Sequence, residues 1–116
     1  MTFWVTAWLR AFGLTLLVEV PLAIWLLASV ETKPARRAAV AVLANLATHP
    51  LVWFLFPGLA LGSGARFALS EAWAFGAEVA IYMIVWPRLS LRRAALVSLI
   101  ANASSVAVGL VVRRLS

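Results

Sequence analysis

Apolar residues fall into four long blocks along the chain, separated by short charged or Gly/Pro-containing breaks. The pattern predicts four membrane spans, near 11–30, 38–56, 67–86 and 93–112, because a hydrocarbon core about 30 Å thick needs about 20 apolar residues in helical form. The segment before the first span, MTFWVTAWLR, is itself apolar and is expected either to extend that helix or to lie in the interface. Pro57-Gly58 ends the second span and Pro87 follows the third, as helix-stopping residues do. The breaks at 31–37, 57–66 and 87–92 are short, so neighbouring helices are expected to run antiparallel. The fold class is therefore an all-α integral membrane protein, a four-transmembrane-helix antiparallel bundle over 1–116 in one domain. A soluble bundle would need polar faces at helical period, and the blocks have none. The first block is expected to be a retained helix. No basic residue precedes Phe3, and Glu19 and Pro21 interrupt what would be the apolar region of a signal peptide.

Composition agrees with this reading. The chain is 65% hydrophobic and 12% charged, where a soluble domain carries about 25% charged residues. There is no cysteine, which excludes disulfides, thiolate metal sites and thiol nucleophiles. The net charge of +6 would suggest nucleic acid in a soluble protein. Here the arginines stand at the ends of apolar blocks, so the expected partner is the lipid bilayer and not nucleic acid. The first and third loops carry Lys33, Arg36, Arg37, Arg88, Arg92 and Arg93, against Arg10, Arg66, Arg113 and Arg114 on the opposite side. The excess places loops 31–37 and 87–92 in the cytoplasm of a prokaryotic-type inner membrane, with both termini outside. Tryptophans mark the two boundaries: Trp4, Trp8, Trp53 and Trp73 on one side, Trp25 and Trp86 on the other.

The halves 1–56 and 67–116 resemble each other. Arg36-Arg37-Ala38-Ala39 opens the second span and Arg92-Arg93-Ala94-Ala95 opens the fourth, each followed by an Ala-Asn pair, Ala44-Asn45 and Ala101-Asn102. Glu19-Val20 in the first span matches Glu78-Val79 in the third at a similar distance from the asparagine. The Ala-Phe-Gly triplets at 11–13 and 74–76 are out of register with this match. The pattern is expected to be a duplicated helical hairpin, with a pseudo-two-fold axis along the membrane normal.

Ionisable side chains within spans are costly to insert, which makes them candidates for function. Glu19, His49, Glu71 and Glu78 are such residues, joined by the amides Asn45 and Asn102. Glu19 lies about 12 Å from its outer edge and His49 about 10 Å, at 1.5 Å per residue. Glu78 and Asn102 fall near the midplane, Asn45 slightly to the cytoplasmic side and Glu71 nearer the outer edge, so four helices place polar groups in one layer. Asn45 and His49 are i,i+4, and Glu71, Glu78 and Tyr82 share a face. Ser98, Asn102, Ser105 and Gly109 form a polar or small stripe on the fourth helix, as Thr15 and Glu19 do on the first. Pro21 and Pro50 free the carbonyls of Leu17 and Leu46 beside Glu19 and His49, where a cation or a water can bind. Packing accounts equally well for the prolines and the Asn102 stripe, a single interior histidine is more often a satisfied structural residue than a ligand, and Glu71 can snorkel to the interface. Glu19 and Glu78 resist that explanation. Mid-membrane carboxylates need protons, a metal or a cationic partner, and no Lys or Arg lies at their depth.

The expected function is a small transporter or channel moving a proton or a divalent metal through the Glu19, Asn45, His49, Glu71, Glu78 and Asn102 core. A divalent metal ion is the one cofactor the set admits, through Glu19, His49 and Glu78. One four-helix chain encloses little volume, so a homodimer is expected. The alternative is an intramembrane hydrolase of a peptide or lipid, in which Glu71, Glu78 and His49 activate a water and Asn45 or Asn102 holds an oxyanion. Against it, the chain has no HExxH motif and only one histidine. Ser104-Ser105 offers hydroxyls without a second histidine as base. A third reading is an accessory subunit of a larger membrane complex. The length, the four spans and the glutamate in the first resemble the small multidrug resistance transporters. That family concentrates its function in the one glutamate and has no counterpart to the histidine, later glutamates or asparagines here.

Overall fold

The computed structural model describes residues 2–115, and these form four long helices. Helix α1 spans Phe3–Leu26 and α2 spans Pro34–Pro50. A π-helical turn at Leu51–Leu55 and a 3-10 turn at Phe56–Gly58 continue α2. Helix α3 spans Ser63–Val85 and α4 spans Leu91–Leu115. All four are long and apolar enough to cross a membrane, and the chain is an integral membrane protein by that measure. The bundle measures 39 × 28 × 25 Å. Its long axis matches the roughly 37 Å that a 25-residue helix such as α4 spans.

The N-terminal apolar segment extends the first helix. Thr2 caps it, its hydroxyl accepting from the Val5 amide at 3.3 Å, and no Gly or Pro lies between Phe3 and Arg10 to stop it. Helix α1 runs through Pro21 without a break and ends at Leu26. Pro34 sets the start of α2. Proline suits the first helical turn, while the residue before it is driven out of the helical region, and Lys33 is extended. Pro50 acts differently: α2 passes into the π-helical turn directly after it, a common way to absorb a missing amide donor.

Helix α1 packs on α2 and α4, and α3 packs on the same two, which closes a ring. The packing is uneven along the axis. One end holds a dense apolar cluster that includes Ala23, Leu27, Ala41, Ala44, Tyr82 and Trp86. Its alanines let helices approach closely, the usual basis of packing where lipid removes the hydrophobic drive. The connections 27–33 and 86–90 tie this end together. Trp86 Nε1 donates to Glu31 Oε1 at 3.2 Å, and Glu31 pairs with Arg36 at 3.0 Å. Arg37 is buried and donates to the carbonyls of Ile24 and Thr32. Its charge thus meets the Ile24 carbonyl in the last turn of α1, where cations are favoured. At the other end no residue of α1 before Glu19, of α3 before Glu78 or of α4 after Ala101 is fully buried.

Candidate functional site

A cavity of about 230 Å³ opens within this looser half, with walls from all four helices. Five of the six residues singled out by sequence line it: Glu19, Asn45, His49, Glu71 and Asn102. The sixth, Glu78, lies directly behind the wall. It is 1% exposed and accepts from Asn102 Nδ2 at 2.6 Å and from Ser98 Oγ at 3.3 Å. Glu19 is 2% exposed, and its carboxyl stands within hydrogen-bonding reach of that of Glu78. The Oε1 atoms of both are buried without a donor among the described residues. Two carboxylates in contact repel, so such a pair is held together by a shared proton or by a cation.

The helical spacing explains this convergence. Ser98 and Asn102 are one turn apart on α4, and both face Glu78. Ser98 Oγ also reaches the Phe75 carbonyl at 3.3 Å, which ties α4 to α3 at the same level. Asn102 returns a bond to the Ser98 carbonyl at 2.8 Å. Ser105 donates to the Asn102 carbonyl at 3.1 Å and lines the cavity, so the polar stripe of α4 points inward. Tyr82, on the same face of α3 as Glu78, is 2% exposed and belongs to the dense cluster against Trp86. It does not line the cavity.

The first half of the chain repeats the bonds within the helix but, among the described residues, not the bonds to a carboxyl. Asn45 is buried, but its Nδ2 donates to the Ala41 carbonyl of its own helix at 2.9 Å. Thr48, which sequence reasoning overlooked, is 2% exposed and donates to the Asn45 carbonyl at 3.3 Å. Its i,i+3 spacing from Asn45 was the available signal. His49 shares a hydrogen bond of 3.2 Å through Nε2 with Thr15 Oγ1, and its Nδ1 is buried without a partner among the described residues. Phe12 meets the imidazole edge-on at 5.3 Å, in an aromatic row that continues through Trp8 to Phe54.

Glu19, His49 and Glu78 do not meet as one metal-ligand set, and no three His, Asp or Glu side chains do so among the described residues. The reason is rotational: Glu19 turns to Glu78, while the imidazole turns to Thr15. Neither Leu17 nor Leu46 lines the cavity, and both side chains are exposed on the outside of the bundle. Glu71 is half-buried and belongs to the wall, together with Ser70 and Trp53, which sequence reasoning had left out of the site. Arg37 was also missed as a structural residue, because its sequence position beside Arg36 reads only as topological charge. The chain matches no family model, no curated protein and no solved structure.

Proposed function

We propose that the protein is a small membrane transporter whose cargo or coupling ion is a proton carried by the Glu19–Glu78 pair. The observation that carries this reading is the pair itself: two buried carboxyl groups turned towards each other, on different helices, beside a polar cavity. Asn102 and Ser98 hold Glu78 in place, while the cavity gives Glu19 and Asn102 a path towards one end of the bundle. A divalent cation is the second candidate cargo, and hard oxygen ligands from the two carboxylates and Asn102 suit it. The short connections favour antiparallel neighbours, and the Glu/Asn match between halves favours a duplicated hairpin. Loops 31–37 and 87–92 lie in the cytoplasm by their basic excess, in an inner membrane of prokaryotic type. A cavity this small favours a homodimer as the working unit.

Proton and divalent-cation flux into proteoliposomes tests the proposal. Wild-type protein is expected to conduct, and Glu19→Gln and Glu78→Gln are each expected to abolish flux. Wild-type rates in both variants would end it.

The Thr15–His49 hydrogen bond supports a second reading, since a hydroxyl within reach of an imidazole is the arrangement of an activated nucleophile. A hydroxyl-reactive phosphonate probe separates the two. Labelling of Thr15 that disappears in His49→Ala favours an intramembrane hydrolase, and an unlabelled protein that conducts favours transport.

A further inference from the structure

A second cleft, of about 1090 Å³, lies between the start of α1 and the end of α4. Phe3, Ala7, Leu14 and Val112 give it apolar walls, and Arg10 and Arg113 give it charge. We propose that this cleft binds one anionic phospholipid of the surrounding bilayer, its acyl chain along the apolar wall and its phosphate at the two arginines.

Charge complementarity selects the occupant. Arg10 lies in the third turn of α1, inside a span, where a guanidinium is costly unless an anion meets it. Among the described residues Arg10 has no hydrogen-bond or ion-pair partner. The four acidic side chains of the chain stand elsewhere. Glu31 is paired with Arg36 at the opposite end, and Glu19, Glu71 and Glu78 belong to the polar cavity and its wall. A second copy of the chain would bring the same basic surface and leave the charge uncompensated. A lipid phosphate compensates it, and guanidinium groups bind phosphate through paired N–H donors. The remaining wall is apolar, as an acyl chain requires. The bilayer holds both parts of this ligand in one molecule at high local concentration.

Native mass spectrometry of the full chain, released from detergent with phosphatidylglycerol or phosphatidylcholine of identical acyl chains, tests the site. One phosphatidylglycerol is expected to stay bound per chain, in preference to phosphatidylcholine. Arg10→Gln and Arg113→Gln should each lower its retention about fivefold, the loss that about one basic contact to an anionic lipid implies. Arg10→Lys should keep most of it, and Arg88→Gln, at the other end, should change nothing. Equal retention of the two lipids would overturn the proposal, as would unchanged retention in both glutamine variants. Release of the lipid by inorganic phosphate would instead mark a free-anion site. Disulfide dimers of Thr6→Cys forming in phosphatidylglycerol bilayers would show a second copy in the cleft.

Discussion

Asn102 Nδ2 donates to Glu78 Oε2 across 2.6 Å, and this bond joins α4 to α3 at the level of the cavity. Its counterpart in the first half, Asn45, makes the same bond to the carbonyl one turn back, that of Ala41, as Asn102 makes to Ser98, but reaches no carboxyl among the described residues. The two asparagines therefore differ in what they hold. Asn102→Ala removes an interhelical bond to a buried carboxyl and is expected to cost about 1–2 kcal/mol, in the upper part of the range for membrane hydrogen bonds. Asn45→Ala is expected to cost less. Reversible unfolding in mixed micelles measures both, and equal losses would contradict the difference.

Arg36 and Arg37 are neighbours in sequence with opposite surroundings. The Arg36 side chain is 58% exposed and pairs with Glu31, while Arg37 is buried against the carbonyls of Ile24 and Thr32. Arg37→Gln is expected to destabilise the protein by about 1.5–3 kcal/mol, the range for charge-assisted bonds. Arg36→Gln is expected to cost less than about 1 kcal/mol, as exposed ion pairs do. The same unfolding assay ranks them.

Glu31 gives the loop end a dependence on pH. The Trp86 indole donates to its carboxylate, the Lys33 amide donates at 3.3 Å, and Arg36 stands beside it. These contacts, the indole first, hold Glu31 below its ordinary value of 4.5. A carboxyl depressed by folding contributes stability above the unfolded value and loses it as pH falls through the folded one. The Trp86 indole resonance is therefore expected to titrate with a midpoint below 4.5. Glu31→Gln should remove that transition, and a midpoint above 4.5 in the wild type would refute the assignment.

The natural chain has no cysteine, so single thiols can report access to water. Ser70→Cys and Ala74→Cys place a thiol on the cavity wall, whereas Ala41→Cys and Ala94→Cys place one in the dense cluster. The first two are expected to react with a membrane-impermeant maleimide added on the terminus-bearing side, and the last two to remain unmodified from either side. Labelling of Ala41→Cys at the rate of Ser70→Cys would show that the cluster is not a barrier.

The four helices and the polar layer were legible because each rests on a strong local signal. Twenty-residue apolar runs leave few alternatives to helices, and Glu, Asn and His inside them stand out against alanine and leucine. Rotation about each helix axis was harder to read. The i,i+4 spacing of Asn45 and His49 put them on one face, but only packing decides that the imidazole turns to Thr15 and the amide to Ala41. The helix ends shifted for similar reasons. Thr2 capping and Pro34 act at single residues, and a hydropathy window averages over them. The burial of Arg37 was hidden because arginine next to arginine at a helix start carries the same signature whether it faces water or a neighbouring carbonyl.

The uneven packing along the bundle axis has an electrical consequence. In a bilayer, a polar cavity conducts ions far better than a layer of alanine, leucine and aromatic rings, so the membrane potential drops mainly across the dense cluster. A charge passing from the terminus-bearing end to Glu19 and Glu78 crosses little of the field. The step past Tyr82 and Trp86 carries most of the work, about 2.3 kcal/mol per elementary charge for each 100 mV. For the proposed proton transport, voltage bears on release towards the loop end far more than on capture.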